Sequence, residues 1–189
     1  MEYVLFNPKI KALSTKNVSD LIQVRRVGIT TGGSDPKNVL LALYDLIDFE
    51  VWEEIQFIFF VGNNYMHKAK LPSHFPENVQ FMPYDVTKIM KSQLVVSTFG
   101  VSTYELLALG MPIISLGHQE ANSIASKVLS KHTTSFTHLG VIDDIAKHDL
   151  HTALEHLILS YHLRIRYHNK AKSLMDFKAE ERIRSILEA

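Results

Sequence analysis

The chain contains no cysteine, which excludes disulfide staples and thiolate-based metal sites. It also lacks an excess of either charge, since 20 lysines and arginines balance 20 aspartates and glutamates. Nucleic acid is therefore not an expected partner, because its readers carry clustered positive charge. No apolar run reaches the roughly 20 residues that cross a bilayer. Met1 to Pro8 has neither the basic start nor the long apolar stretch of a secretory signal, so a cytoplasmic location is expected. Glycine and proline are sparse, at 8 and 6 in 189 residues, and the stretch from Tyr161 to Ala189 has neither. That tail reads as one or two helices. The length suits one ordinary domain, which buries roughly 70% of its unfolded surface and needs no staples.

What is present is an alternation. Val24 to Thr30, Ile55 to Val61, Val79 to Met82, Leu94 to Ser97 and Pro112 to Leu116 are short apolar runs that read as buried strands. Helical patterns separate them. Ser34 or Asp35 is placed to cap a helix with Pro36 near its first turn, and Val39, Leu40, Leu43, Leu46 and Ile47 form its apolar face. Val86 to Lys91 reads as a short helix. Thr103 to Leu109 reads as another, ended by Gly110. Residues 121–131 and 146–159 also read as helices, with an extended piece near Ser135 to Leu139. Strand–helix alternation of this kind predicts an α/β fold, a doubly wound, mostly parallel, Rossmann-like sheet.

Two loops in that pattern carry chemistry. Thr30-Thr31-Gly32-Gly33-Ser34-Asp35 follows the first strand, and Ser97-Thr98-Phe99-Gly100-Val101-Ser102-Thr103-Tyr104-Glu105 follows the fourth. In open α/β sheets, ligands sit beyond the carboxyl ends of strands, against helix N-termini whose free N–H groups favour anions. Glycine permits close backbone approach, and the Ser and Thr hydroxyls add donors. Each loop alone also reads as a plain strand-to-helix turn, and Glu105 alone as a favourable charge near a helix start. Together they suggest a ligand with a diphosphate and a ribose.

The loops, with Leu109-Gly110-Met111-Pro112, resemble the C-terminal half of GT-B enzymes that use UDP-sugars. The pattern is similar to the UDP-sugar hydrolase of pseudaminic acid synthesis and to the peptidoglycan N-acetylglucosaminyltransferase. The resemblance covers roughly residues 1 to 160. It implies that Gly32, Gly33, Ser34, Gly100, Ser102 and Thr103 face the phosphates and that Glu105 accepts hydrogen bonds from the ribose. It implies that the base sits near Met82-Pro83-Tyr84-Asp85, and that His118, Gln119, Glu120 and Asn122 face the sugar. No cofactor or metal is implied. The expected partners are a UDP-sugar and a separate N-terminal GT-B domain or subunit. The expected reaction is glycosyl transfer or UDP-sugar hydrolysis, in surface polysaccharide or glycoconjugate synthesis. No catalytic residue is identified, and His118 is the one nearby candidate base. By the same resemblance, 1–22 is a lead-in from the N-terminal domain, 23–160 the nucleotide-sugar domain and 161–189 the C-terminal helices.

Two positions depart from the family pattern. Phe99 stands where that pattern has glycine, and Val101 where it has a small polar residue. A phenyl ring there is expected to crowd the diphosphate, and the alternative is a binding or scaffolding module that kept the fold and lost the phosphate site. The ten histidines form no His-Glu-x-x-His motif. His148, His151 and Glu155 share a helical face that is expected to be solvated. Tyr161, Arg164, Arg166 and Tyr167 suit packing on the domain itself, with peripheral membrane contact as the alternative.

Overall fold

The computed structural model describes residues 3–13 and 17–188. Of the polar stretch from Ser14 to Asp20, residues 14–16 lie outside the described residues. Six strands, β1 (Arg26–Thr30), β2 (Gln56–Val61), β3 (Val79–Pro83), β4 (Leu94–Thr98), β5 (Ile113–Gly117) and β6 (Thr137–Val141), form one sheet in the order β3-β2-β1-β4-β5-β6. Every pairing is parallel. This is the doubly wound Rossmann-like order, and the chain reverses its direction of travel between β1 and β4. The short helix α1 (Pro8–Ala12) precedes the sheet. Helices α2 (Val39–Leu46), α3 (Val86–Ile89), α4 (Val101–Ala108), α5 (Glu120–Thr133) and α6 (Lys147–Leu159) follow the strands, and α7 (Tyr161–Ser173) and α8 (Ala179–Leu187) end the chain.

The strands are continuous apolar runs because both faces of the sheet are covered. Val27, Ile29, Leu94, Val96, Ile114 and Leu116 point into one core with Leu40 and Leu43 of α2 and Leu150 and Leu154 of α6. Ile58, Phe60, Val95 and Ile113 point into the other, with Ile89 of α3 and Leu106 and Leu107 of α4. The period-2 alternation therefore sorts neighbouring residues between two cores.

Gly110 closes α4 as expected. Its N–H donates to Leu107 O (2.9 Å), and Met111 N donates to Leu106 O (3.0 Å). Its φ of +71° and the His168 ring, 2.7 Å from where a Cβ would sit, require glycine. His168 Nδ1 donates to Gly110 O at 2.8 Å, which ties α7 to α4.

One boundary differs from expectation. Pro36 lies in a turn, and α2 starts at Val39. Asp35, buried with φ +44°, reaches forward from outside the helix. Its carboxylate accepts from Val39 N and Leu40 N, both at 2.8 Å. The tail forms the two helices α7 and α8. Among the described residues, no helix is long and apolar enough to cross a membrane.

Candidate functional site

In the β1–β4 register Thr30 lies opposite Ser97, and in the β4–β5 register Thr98 lies opposite Leu116. The loops after β1, β4 and β5 therefore leave the sheet side by side, at the switch point.

The first loop is held at both ends. Thr31 Oγ1 donates to Asp35 Oδ2 (2.9 Å), so the buried Asp35 staples the loop's start to the first turn of α2. The tip, Gly32-Gly33-Ser34, has its carbonyls turned aside: Gly33 O accepts from Asn64 N (3.0 Å) and Ser34 O from Met66 N (3.2 Å). Among the described residues, the N–H groups of Gly32, Gly33 and Ser34 donate to no backbone oxygen. Gly33 and Ser34 are exposed. Gly62, at the end of β2, lies directly behind this tip.

The second loop is held from inside. Thr103 is fully buried, and its hydroxyl donates to Thr98 O (3.3 Å) while accepting from Gly100 N (3.2 Å). Thr103 thus shapes the turn and does not reach the cleft, in contrast to the phosphate contact the resemblance implies for it. Ser102 is half-buried, and Val101 is 72% exposed. Phe99 is 7% exposed, and its ring packs in the core 5.8 Å from the Tyr104 ring. The ring is thus buried with the core that α4 covers and not displayed on the loop surface.

Glu105 sits one turn into α4, half-buried, with no ion pair or side-chain hydrogen bond among the described residues. Burial raises its pKa above the ordinary glutamate value. Its neighbour is Tyr84, just past β3. Burial, then the Glu105 carboxylate, raises the Tyr84 pKa, while the Ser102 hydroxyl opposes the shift. Tyr84, Ser102 and Glu105 thus form one polar patch beside the second loop. The sequence marks the segment after β3 but not the Tyr84 hydroxyl, because nothing local signals a partner on α4.

The third loop follows β5. His118 is half-buried, Gln119 and Glu120 are exposed, and Asn122 is half-buried. Asn122 Nδ2 donates to Phe99 O (3.4 Å), joining this loop to the second, and its Oδ1 is buried without a partner. No side chain caps the N-terminus of α5. His118, Gln119, Glu120 and Asn122 thus share the segment after β5, which Asn122 ties to the β4 loop. A hollow of about 380 Å³ lined by Gly62, Lys68, Phe81, Met82 and Pro83 lies at the carboxyl ends of β2 and β3. Among the described residues, no three histidines or carboxylates are grouped to hold a metal ion. His151 is occupied otherwise, accepting from Asp48 N at 3.0 Å.

This six-stranded parallel sheet with its flanking helices matches the fold of the C-terminal half of GT-B glycosyltransferases. Among solved structures, the chain is similar to the glycotransferase of kitacinnamycin (TM-score 0.68, 15% identity, 100% of this chain and 48% of that one). It is likewise similar to MurG of Acinetobacter baumannii (TM-score 0.67, 13% identity, 93% of this chain and 53% of that one). Among curated proteins it is similar to the spore coat polysaccharide biosynthesis protein SpsG of Bacillus subtilis (strain 168), at 21% identity over 193 residues, covering 99% of this chain and 56% of SpsG. The chain spans about half the length of these relatives. No protein-family model matches it.

Proposed function

We propose that the cleft over β1, β4 and β5 holds a nucleotide-sugar, and that the chain is the donor-binding half of a GT-B-type glycosyltransferase or UDP-sugar hydrolase of polysaccharide synthesis. The observation that carries this reading is Glu105, a half-buried carboxylate one turn into α4 with no ion pair or side-chain hydrogen bond among the described residues, in the helix that follows the β4 loop. An unpaired carboxylate at such a place is costly unless a ligand's donors satisfy it. In this reading Gly32, Gly33, Ser34, Gly100 and Ser102 surround the diphosphate and Glu105 takes the ribose hydroxyls. Tyr84 and the segment after β3 border the base, and His118 to Asn122 border the sugar. Thr103 supports the loop from behind. The choice of uridine rests on the resemblance of the two loop motifs alone. The scaffolding alternative rests on Phe99 and Val101, and burial of the Phe99 ring in the core supports the binding reading over it.

Calorimetric titration with UDP tests the assignment. Glu105→Ala should weaken UDP by about 1.5–3 kcal/mol, the worth of charge-assisted hydrogen bonds, while leaving thermal stability near that of the parent. Acidification should weaken binding too. The raised pKa means that the carboxylate is lost at a higher pH than for an ordinary glutamate. Equal UDP affinity in parent and variant would remove the ribose role.

The activity of the isolated chain is expected to be far below enzymatic rates. Catalysis needs an aligned acceptor or water and a positioned base, which together supply many kcal/mol. This chain offers one wall of a cleft. Release of UDP from a panel of UDP-sugars, near one turnover per second and abolished in His118→Ala, would contradict that expectation.

A further inference from the structure

Helix α3 has four residues and leaves part of its sheet face open, so that Gln80 of β3 is exposed. Arg26 of β1, Ile58 and Phe60 of β2, and Gln80 and Met82 of β3 stand at alternate positions in register, so they share that face. What α3 leaves open is a hollow of about 220 Å³, with Ile58, Phe60 and Met82 as its apolar floor and Arg26, Lys88 and Lys91 at its rim. Arg26 opens β1, at the opposite end of that strand from the Gly32-Gly33 loop.

The rim is of one charge. Among the described residues, no carboxylate lines the hollow, and none of its three cations makes an ion pair or a side-chain hydrogen bond. Lys88 also acts on Asp85, but that carboxylate caps α3 and accepts from Thr87 N (2.9 Å) and Thr87 Oγ1 (2.7 Å). Arg26 is half-buried, and its Nε is fully buried with no hydrogen-bond partner. Exposed lysines alone are ordinary solvated surface. A buried guanidinium N–H is costly until an acceptor reaches it, and that orphan donor marks this rim as a site.

We infer that this hollow binds the phosphate of a small phosphomonoester. A carboxylate would bring one charge to the three cations, whereas a phosphomonoester brings nearly two charges and three acceptor oxygens. The Arg26 fork and the two ammonium groups match those oxygens, and the apolar floor takes the carbon part of the ligand. The hollow is smaller than the roughly 300–1,000 Å³ of drug-sized pockets, which limits that part to a few carbons.

The test is titration of the full chain with glycerol 3-phosphate, read on the Arg26 Nε–H and Gln80 side-chain amide resonances. Saturable shifts of both are expected, and they should persist in excess UDP. Affinity should fall roughly 10- to 150-fold in Arg26→Gln, the equivalent of losing one charge-assisted pair. The double variant Lys88→Gln, Lys91→Gln changes exposed positions that leave the fold intact, and it should lose roughly three- to 30-fold. Circular dichroism checks the fold of both. Acetate should bind at least about tenfold more weakly, having one charge in place of two. Absent shifts, unchanged affinity in either variant, or equal binding of acetate would overturn the inference. Shifts abolished by UDP would overturn it in favour of one shared nucleotide site. Binding to phosphatidate vesicles without any shift from glycerol 3-phosphate would overturn it in favour of a membrane surface.

Discussion

Arg164→Met is expected to destabilise the domain by about 3–5 kcal/mol. Arg164 is 1% exposed, yet among the described residues no carboxylate pairs with it. Its guanidinium instead donates to four backbone carbonyls: Leu21 O and Ile22 O at 2.8 Å, Leu157 O at 2.5 Å and Ile158 O at 2.8 Å. Leu157 and Ile158 lie in the last turn of α6, where the helix dipole favours a cation. Leu21 and Ile22 belong to the segment that leads into β1. One side chain thus joins the start of the domain to the α6–α7 corner. Methionine has similar length and leaves the carbonyls without donors, and each buried orphan costs about 1–3 kcal/mol, less what water recovers. Arg164→Lys should recover little, because one ammonium does not span carbonyls on two sides. At about 2–4 °C per kcal/mol for a chain of this size, the midpoint of melting should drop by roughly 6–20 °C. Urea titration measures the effect directly, and a loss below about 1 kcal/mol would show that the clamp is dispensable.

This clamp was not legible in the sequence. Arg164 sits in a mixed basic and aromatic stretch whose composition suits packing on the domain itself but names no acceptor, and two of its acceptors are more than 140 residues away. Backbone carbonyls leave no signature in side-chain patterns. The sheet was legible, because each strand is a short apolar run bounded by turn residues and each helix repeats at the helical period. The start of α2 was not. Pro36 suggests a first helical turn, but the forward reach of the Asp35 carboxylate moves the start to Val39.

The Phe99 result was available in principle. Val95 faces the core that contains Leu106 and Leu107, and two steps of period-2 alternation carry Phe99 to that same side. Reading Phe99 only against a glycine pattern hid this. Thr103 has a similar lesson. It stands three residues after Gly100, where a hydroxyl serves the loop's own backbone before it serves a ligand. Glu105 is marked in the sequence by its place one turn into a helix, but its lack of a side-chain partner among the described residues is a tertiary fact. The closeness of Tyr84 to Ser102 and Glu105 depends on β3 and α4, which local pattern does not bring together.

Gly62→Ala is expected to abolish most UDP binding, on the proposed reading of the cleft, and to cost about 1–3 kcal/mol of stability as overpacking. In the sequence Gly62 reads only as the residue that stops the second strand. In the structure a Cβ on it would lie 2.2 Å from Gly32 O and 2.3 Å from Gly33 O. Both obstacles are backbone atoms, so no side chain can swing aside. The Gly32-Gly33-Ser34 tip would have to move out, breaking the bonds from Asn64 N to Gly33 O and from Met66 N to Ser34 O that hold its carbonyls away from the cleft. The tip's N–H groups would then lose the positions that make them donors to a diphosphate. Gly33→Ala is the control, because a Cβ at Gly33 meets nothing within 4 Å and its backbone is not in the left-handed region. That variant should keep the parent's stability and lose affinity only through crowding of the ligand. Calorimetry and thermal melting on both variants separate the cases. Gly62→Ala that melts lower yet binds UDP with the parent's affinity would place the ligand away from the first loop, and the diphosphate would then have to be assigned to the N-termini of α4 and α5 alone.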